Sequence, residues 1–429
     1  MNEISEFYQQ FVKDHRVTTD SRNIQKGDVF IALKGDNFDG NKFAAQALKD
    51  GASVAFIDNP AFQQDGCILV QDNLLFLQQV ANHHRRQLHI PILGITGTNG
   101  KTTTKELCNA VLSKRYKTFA TQGNFNNHIG VPLTLLSMDD SIELGIIEMG
   151  ANHPGEIKIL CDIADPDYGI ITNIGRAHLE GFGSYENIIR TKNQLYDHIR
   201  AKGGQVFVNA DDKLLMELSE GIQRSTYGKA GTMIKGEIKQ TVPYLTYSLK
   251  TLKGDLYIRT KLTGGYNFDN AMAASCAGIF FHTDPLEIQK AVESYQPSNM
   301  RSQVIQTGKN LLILDAYNAN PSSMKVALAN FSEMPDANKI AILGEMLELG
   351  KESEQAHREL VETALKNKFS GLFLIGHSFE NCLPNDTFIQ HFKDTDSLIA
   401  YLKEHPVQSA SIFIKGSRGN KLERIVEYL

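Results

Sequence analysis

Residues 90–106 read IPILGITGTNGKTTTKE, and this stretch decides the fold around it. An apolar, strand-like run leads directly into a glycine-rich loop, a Lys-Thr pair and a segment whose pattern is helical from residue 102 onward. Backbone N–H groups in such a loop, and at the N-terminus of the helix that follows, point toward a bound anion. The stretch therefore predicts a phosphate-binding loop between a strand and a helix.

The residue types within the loop suit a nucleoside triphosphate. Gly97 and Gly100 let the backbone turn its N–H groups toward phosphates, Lys101 reaches the outer phosphates, and the Thr102 hydroxyl can ligate Mg²⁺. The usual spacing would place a glycine at position 95, where this chain has Ile95. An ordinary strand-to-helix turn is the alternative interpretation, but nucleotide binding accounts for more of the pattern.

Bulk properties narrow the class of protein. A chain of 429 residues with 41% hydrophobic and 22% charged residues suits a globular protein of two or three domains. The net charge of −5 and the lack of a basic block argue against a nucleic-acid partner. Five widely spaced cysteines predict reduced thiols, and the absence of a signal-like N-terminus or a long apolar run predicts a cytoplasmic protein, which we expect to be a monomer.

The order of strand-like and helix-like segments predicts an α/β fold of three domains. We expect a small N-terminal α/β module over residues 1–88, a central, mostly parallel sheet domain with the phosphate loop over 89–297, and a C-terminal Rossmann-like, doubly wound domain over 298–429. Residues 229–262 alternate differently and predict an antiparallel extension of the central sheet. The C-terminal runs LLILDA, KIAILGE, GLFLIG and ASIFIKG each predict a strand followed by a helix.

Polar residues just beyond strands are the candidates for chemistry, because ligands gather at that edge of an open α/β sheet. Glu148 closes LGIIEM and suits Mg²⁺, although a helix cap or a lysine pair would explain it as well. His178 follows YGIITNIGRA, where a structural role and a ligand role fit equally. Lys192 lies in a predicted helix, and the pattern alone favours a solvated charge.

The C-terminal part offers three further clusters. Asp315 ends a strand-like run before a turn that contains Asn318, Asn320 and a proline, a composition that also suits a purely structural turn. GEMLELG at 344–350 and KGSRGNK at 415–421 follow two other strands, and Lys415 and Arg418 suit either an anion or an exposed loop. We expect the three clusters to share one edge of the sheet.

Seven strings, taken in order, resemble the Mur ligase family of peptidoglycan synthesis: GTNGKTTTKE, TQGNFNNHIGVPLTLL, IIEMGANHPGEI, ITNIGRAHLEGFGS, DAYNANPSSM, GEMLELG and IKGSRGNK. The YNANP turn and the N-terminal TDSRNIQKGDVFIALKGDNFDGNKF are typical of the branch that joins D-alanyl-D-alanine to a UDP-N-acetylmuramoyl tripeptide. The resemblance implies an ADP-forming ligase that uses ATP and Mg²⁺, activates the peptide carboxylate as an acyl phosphate, and closes its third domain over the second.

The resemblance also assigns roles to individual residues. It implies catalytic roles for Lys101, Glu148, His178 and a carbamoylated Lys192, and metal ligation by Thr102, Glu148, His178 and Lys192. The implied ATP contacts are Gly97, Thr98, Asn99, Gly100, Lys101, Thr102, Thr103, Asn267, Asn270, Arg301, Asp315, Tyr317, Asn318 and Asn320. The implied substrate contacts are Ser21 and Arg22 for the uridine diphosphate, Asn126 and Asn127 for the muramoyl group, and Ser417 and Arg418 for the incoming dipeptide.

Four positions depart from the family pattern. Tyr266 stands where a histidine is common, Gln194 where an acid often follows the modified lysine, Met300 where a glycine usually precedes the arginine, and Glu345 where an aspartate is frequent. None of these changes removes an expected phosphate or metal ligand. The alternatives are a ligase similar to folylpolyglutamate synthase, against which the YNANP string and the N-terminal module argue, and an ATP-driven switch without amide formation.

Overall fold

The computed structural model describes residues 3–13, 15–251, 254–383 and 388–429. The N-terminal unit contains a four-stranded parallel sheet in the order β1-β2-β5-β6, with a short antiparallel β3-β4 hairpin beside it. Its strands are β1 (Val17–Thr18), β2 (Val29–Ile31), β3 (Lys34–Gly35), β4 (Phe38–Asp39), β5 (Val54–Ile57) and β6 (Cys67–Leu69). Its α-helices are α1 (Glu3–Phe7), α2 (Ala44–Lys49) and α3 (Asn73–Leu88).

The central unit is built on a six-stranded, entirely parallel sheet in the order β12-β11-β10-β7-β9-β8. Its strands are β7 (Ile92–Thr96), β8 (Thr118–Ala120), β9 (Leu144–Glu148), β10 (Tyr168–Ile171), β11 (Gln205–Asn209) and β12 (Gln223–Tyr227). Its helices are α4 (Lys101–Leu112), α5 (Gly130–Leu136), α6 (Glu156–Ala164), α7 (Leu179–Phe182), α8 (Tyr185–Lys202), α9 (Lys213–Leu218), α10 (Asn267–Phe280) and α11 (Pro285–Ser294). Buried apolar clusters cover both faces, which explains the unbroken apolar runs of its strands.

Residues 229–262 are antiparallel, as expected, but they do not extend the central sheet. Strands β13 (Lys235–Gln240), β14 (Thr246–Thr251) and β15 (Gly254–Arg259) form a separate three-stranded sheet. Alternate residues of these strands, Tyr247 and Leu249 among them, are buried in the same apolar cluster as helix α10, and the Tyr247 ring lies 5.5 Å from the ring of Phe268. The apolar face of this small sheet is therefore satisfied by packing against a helix, so the expectation of a continuous sheet was wrong.

The C-terminal unit has a six-stranded sheet in the order β16-β17-β21-β18-β19-β20, in which β16 alone pairs antiparallel. Its strands are β16 (Gln303–Gln306), β17 (Leu311–Asp315), β18 (Lys339–Gly344), β19 (Gly371–Ile375), β20 (Ile389–Phe392) and β21 (Ser411–Lys415), and its α-helices are α12 (Pro321–Ser332), α13 (Ser353–Lys366) and α14 (Thr395–Glu404). GLFLIG and ASIFIKG lead into 3₁₀ turns at His377–Cys382 and Arg418–Asn420 rather than into α-helices.

The three-domain α/β architecture predicted from the sequence is confirmed, while the precise boundaries at residues 88 and 297 stay a prediction. All five cysteines are free and buried, in agreement with the expected reduced thiols. None of the helices in the described part of the chain combines the length and the apolarity needed to cross a membrane.

Candidate active site

The phosphate loop lies at the carboxyl end of β7, between β9 and β10 in the sheet. Gly97 and Gly100 both adopt positive φ angles, of 142° and 79°. A Cβ at position 97 would lie 2.0 Å from Thr172 Oγ1, and one at position 100 would lie 2.4 Å from Asn270 Oδ1. Both glycines are required by backbone conformation and by close neighbours, which accounts for their place in the motif.

Lys101 opens helix α4 and folds back over the loop. Its Nζ donates hydrogen bonds to the carbonyl oxygens of Gly97 at 2.8 Å and Thr98 at 2.9 Å. Burial lowers the pKa of Lys101 to about 8, with Glu148 acting in the opposite direction. The ammonium group therefore lies within the loop, where a short side-chain movement would bring it to a phosphate oxygen.

Glu148, at the end of β9, is 1% exposed. Its Oε1 accepts hydrogen bonds from Thr102 Oγ1 at 3.1 Å and from Asn126 Nδ2 at 2.8 Å. Its Oε2 is buried and has no hydrogen-bond partner among the described residues. An unpaired buried carboxylate oxygen beside a threonine hydroxyl is a donor set that fits a hard divalent cation.

Lys192 is only 2% exposed, so its interpretation as a solvated charge is wrong. Its Nζ lies 3.3 Å from the carbonyl oxygen of Ala151 and 5.7 Å from the centre of the Phe182 ring. Burial, assisted by the charge of Lys101 and opposed by Glu156, holds the pKa of Lys192 well below its ordinary value. Helix periodicity missed this because the residues that cover Lys192 come from other segments of the chain.

His178 precedes helix α7 and has a left-handed φ of 52°. Its Nδ1 contacts Glu348 Oε2 in the C-terminal domain. Burial lowers the pKa of His178, and the Glu348 carboxylate partly offsets this effect. His178 therefore lies where the central and C-terminal domains meet.

The residues expected at the adenine and ribose come together from two domains. Asn270 Nδ2 donates to Asn267 Oδ1 at 2.9 Å, and Thr104 Oγ1 donates to Asn270 Oδ1 at 3.0 Å. The Arg301 guanidinium lies 4.0 Å from the centre of the Tyr317 ring. Asp315 forms an ion pair of 2.6 Å with Lys415, and the two residues lie opposite each other on paired strands, at the edge that their clusters were expected to share.

Contacts between the phosphate loop and the C-terminal domain close this site. Asn320 Nδ2 donates to Asn99 Oδ1 at 2.8 Å, and Asn99 Nδ2 donates to Ser322 Oγ at 3.2 Å. Asn320 also caps helix α12 through a bond from the Ser323 N–H. The C-terminal domain thus lies directly over the phosphate loop.

A cavity of about 720 Å³ opens between the two domains. The predicted residues that line it are Thr98, Asn99, Gly100, Lys101, Thr103, Asn126, Asn127, Glu148, His178, Asn267, Asn270, Arg301, Asp315, Tyr317, Asn318 and Asn320. Gly97, Thr102 and Lys192 are not among the lining residues, although Thr102 bonds to Glu148. These contacts give the predicted set a common location, and the individual roles stay predictions.

The residues expected to bind the other two substrates do not all line this cavity. Asn127 Oδ1 accepts the Gly130 N–H at 2.8 Å, so it stabilises the start of helix α5 while lining the cavity. Arg22 is exposed and pairs with Asp20 at 2.8 Å, and neither it nor Ser21 lines the cavity. Ser417 Oγ is buried and accepts the Leu347 N–H at 3.0 Å, while Arg418 pairs with Glu423 at 2.8 Å.

Some lining residues were missed by sequence reasoning. Asn173 lies two residues beyond the end of β10 and bonds to both the N–H and the carbonyl of Asn99, at 3.0 Å each. Glu156 opens helix α6, and Asp269 lies between the two asparagines of helix α10. Asn173 and Glu156 lie within two of the quoted strings, and Asp269 lies between two residues expected to contact ATP, so a position near a strand or helix end was the available signal.

The structure describes local contacts or backbone conformation at three of the four positions that depart from the family pattern. Met300 has a left-handed φ of 56°, the region that favours glycine. Glu345 Oε2 accepts a bond of 2.7 Å from Ser378 Oγ, and the side chain passes directly over Gly376. For Gln194, the side-chain oxygen accepts the Lys158 N–H at 2.9 Å.

Sequence models of three Mur ligase domains match the chain: "Mur ligase family, catalytic domain" over residues 13–95, "Mur ligase middle domain" over 95–278, and "Mur ligase, glutamate ligase domain" over 300–418. The UDP-N-acetylmuramoyl-tripeptide–D-alanyl-D-alanine ligase of Bacillus subtilis is 36% identical over 97% of this chain and 93% of its own length.

Solved structures give the same result. A crystal structure of MurF from Acinetobacter baumannii has a TM-score of 0.88 and 32% identity, covering 96% of this chain and 92% of the other. The MurF ligase of Thermotoga maritima, in complex with ADP, has a TM-score of 0.85 and 27% identity, covering 98% and 97% of the two chains.

Proposed function

The chain belongs to the Mur ligase family, and we propose that it joins D-alanyl-D-alanine to UDP-N-acetylmuramoyl tripeptide with conversion of ATP to ADP and phosphate. This reaction completes the peptide of a peptidoglycan precursor for the cell wall. The observation that carries the proposal is the junction of the phosphate loop with the C-terminal domain through Asn99, Asn320 and Ser322, around a cavity lined by Lys101 and Glu148.

The reaction has two chemical steps. The terminal carboxylate of the tripeptide attacks the γ-phosphorus of ATP, so that ADP leaves and an acyl phosphate forms. The dipeptide amine then attacks the acyl carbon, loses a proton, and expels phosphate from a tetrahedral intermediate to leave an amide bond. Both steps place negative charge on oxygens, and such reactions depend mainly on positioning and electrostatic stabilisation.

We assign Lys101 and the backbone of residues 97–103 to the phosphates of ATP. In this assignment the Lys101 ammonium leaves the carbonyls of Gly97 and Thr98 and follows the γ-phosphate during its transfer. Arg301, stacked on Tyr317, adds positive charge from the C-terminal side of the cavity. Asn270 of helix α10 lies against Gly100 and bonds to Asn267, and we assign this pair to the nucleotide from the central domain.

The residues present fit Mg²⁺, because Glu148 Oε2 is buried without a partner among the described residues and the Thr102 hydroxyl bonds to the same carboxylate. Thr102 and Glu148 would hold one ion, and His178 with Lys192 would hold a second. Divalent cations supply compensation for the charge that builds on the phosphoryl and acyl oxygens. The Asn126 amide bonds to Glu148 Oε1, which would leave Oε2 available as a ligand.

Lys192 can serve as an oxygen ligand only after modification. A neutral amine adds CO₂ and loses a proton, which gives a carbamate with two oxygens. The depressed pKa of Lys192 supports this proposal, since burial and the charge of Lys101 favour the neutral form of its amine. The neighbours of this position, the Ala151 carbonyl and the Phe182 ring, would offer a carbamate few hydrogen-bond donors. A metal ion that neutralises the carbamate would therefore stabilise it there.

The N-terminal domain is proposed to hold the uridine diphosphate through Ser21 and Arg22, and Asn127 to meet the muramoyl group. The exposure of Arg22 leaves its guanidinium accessible to a diphosphate, although Asp20 must then share or release it. Ser417 and Arg418 are proposed to act on the dipeptide. Since both nucleotide substrates are cytoplasmic compounds, we place the enzyme in the cytoplasm.

The test is phosphate release by the purified protein with ATP and Mg²⁺, with the UDP-muramoyl tripeptide and D-alanyl-D-alanine added singly and then together. Release that requires both substrates is the expected result, and Lys101→Met should abolish it. Release with neither substrate would favour an ATP-driven switch. Release with the tripeptide and a different amine acceptor would identify a related ligase.

A further inference from the structure

The contact between His178 and Glu348 crosses from the central domain to the C-terminal domain. Resting on the function proposed above, we infer that Glu348 is a positioning residue that accepts the Nδ1 hydrogen of His178 and presents Nε2 to the second metal ion when the domains close. Glu348 belongs to the GEMLELG string, to which the sequence resemblance gave no role.

The geometry determines which nitrogen of His178 carries the hydrogen. An ionised carboxylate has no hydrogen to donate, so a bond between Nδ1 and Glu348 Oε2 places the hydrogen on Nδ1. Nε2 is then a lone-pair donor, and the described residues offer it no hydrogen bond. A carboxylate behind a ligating histidine fixes its orientation and increases its basicity, which strengthens its bond to a metal.

Nothing else in the described structure orients the imidazole through a hydrogen bond. The backbone of His178 is left-handed, with a φ of 52°, and the side chain is 29% exposed. Packing alone does not decide which ring nitrogen of such a histidine carries the hydrogen. Its orientation therefore depends on Glu348, which lies on the other domain.

The loop that carries Glu348 is held firmly within the C-terminal domain. His357 Nε2 accepts the Met346 N–H at 2.9 Å, Ser417 Oγ accepts the Leu347 N–H at 3.0 Å, and Asn420 Nδ2 donates to the Glu345 carbonyl at 2.9 Å. Glu348 itself has a φ of 61°. Because its own domain fixes the loop, Glu348 moves with that domain and reaches His178 only in the closed arrangement.

Two other contacts hold the same domains together, so closure does not depend on Glu348 alone. Asn320 Nδ2 bonds Asn99 Oδ1 at 2.8 Å, and Gly350 lies against the side chain of Glu180. Loss of Glu348 should therefore release His178 without opening the domains. The role of Glu348 can then be tested separately from closure.

The experiment compares Glu348→Ala and Glu348→Gln with the control Glu352→Ala, an exposed glutamate four residues further on whose side chain makes no hydrogen bond among the described residues. Because 56% of the Glu348 side chain is exposed, both variants should fold. The first measurement is the tautomer of His178 in metal-free protein by ¹⁵N NMR, with the signal assigned by its loss in His178→Gln. The second is a Mn²⁺ titration by electron paramagnetic resonance with a non-hydrolysable ATP analogue.

We expect the wild type to hold the hydrogen on Nδ1 and to bind a second Mn²⁺. Glu348→Ala should give mixed tautomers and weaken that second ion by 10-fold to 100-fold, as the removal of a carboxylate behind a ligating histidine does in other metal sites. Glu348→Gln, whose amide oxygen still accepts the hydrogen, should lose less than 10-fold, and Glu352→Ala should match the wild type.

Three outcomes would overturn the inference. They are a wild-type hydrogen on Nε2, a tautomer and Mn²⁺ titration that do not change in Glu348→Ala, and a variant whose only defect is a raised KM for D-alanyl-D-alanine. The function proposed above is tested separately by phosphate release from the wild type. Two Mn²⁺ sites and an Nδ1 hydrogen in a protein that releases no phosphate would support the role of Glu348 and refute the ligase.

Discussion

The polar residues at the carboxyl edges of the two six-stranded sheets differ in how fully they are hydrogen-bonded. At the central edge, Glu148 Oε2 has no partner among the described residues, and Lys192 makes one long bond, of 3.3 Å. At the C-terminal edge, Lys415 bonds to Asp315 at 2.6 Å and to the Asn318 carbonyl at 3.2 Å, and Glu345 bonds to Ser378 at 2.7 Å. The named polar groups at the central edge therefore have few or no hydrogen-bond partners, whereas those named at the C-terminal edge are bonded to residues of their own domain.

The difference separates two tasks within one site. A buried polar atom without a partner costs about 1–3 kcal/mol, and a ligand that supplies the partner recovers that energy as affinity. An edge whose polar groups bond to residues of the same domain instead stabilises that domain and holds its loops in place. The comparison predicts that substitutions at the central edge change activity more than stability, and that substitutions at the C-terminal edge do the reverse.

The largest effect is expected at the central edge for Lys192→Ala. If the carbamate ligates a metal, phosphate release in the presence of both substrates should fall by about 1,000-fold, equivalent to about 4 kcal/mol. The melting temperature should change little, because the variant also removes a buried amine that has few partners. Steady-state kinetics and thermal unfolding of the same preparation measure the two effects.

Short carboxylates provide the control for this variant. Acetate or formate should enter the space left by the side chain and restore part of the activity. Lys158→Ala, on the exposed face of α6, should keep full activity. Full activity of Lys192→Ala, or a lost activity that no carboxylate restores, would contradict the carbamate role.

The second effect is expected at the C-terminal edge for Lys415→Met. Lys415 is 3% exposed, and its loss leaves the Asp315 carboxylate without its cation, so the free energy of unfolding of this domain should fall by about 3 kcal/mol. Urea unfolding measures the change.

Lys325→Met, at an exposed position of α12, serves as the control and should leave stability unaltered. Addition of Asp315→Asn to Lys415→Met should recover part of the loss, and a further loss would argue against this explanation.

The same contrast explains what the sequence could and could not predict. The phosphate loop is a local string in which glycines, lysine and threonine fall within a few residues, so its geometry follows from its order. Lys192 is different, since its burial is created by Phe182 and Ala151, and helix periodicity alone indicated a solvated charge. The three-stranded sheet of residues 235–259 was placed wrongly because period-2 patterning reports an apolar face without saying what covers it.

Contacts between domains could not be predicted from local sequence patterns. The pairing of Asn99 with Asn320 joins positions more than 200 residues apart, and the contact of His178 with Glu348 joins two strings of which only the one with His178 had an assigned role. The family resemblance supplied the expectation of domain closure. The structure shows the particular atoms that join the C-terminal domain to the phosphate loop and to His178.

The smallest effect is expected for Asp269→Asn, which tests whether the central edge carries a stability cost. Burial, with the neighbouring carboxylates of Asp211 and Asp212, raises the pKa of Asp269 to about 6 from its ordinary value of 3.8. The folded state therefore binds more protons than the unfolded state between about pH 4 and pH 6, so stability falls as the pH rises through this window and stays lower above it. Asparagine should remove this loss and increase the free energy of unfolding by about 2 kcal/mol at pH 8, with little change at pH 4.

Chemical unfolding at the two pH values measures the difference, and Glu220→Gln, at an exposed position of the central domain, should show none. An Asp269→Asn protein that gains equally at both pH values would owe its stability to packing, and one that loses stability at pH 8 would place the carboxylate among the satisfied groups and weaken the contrast between the two edges.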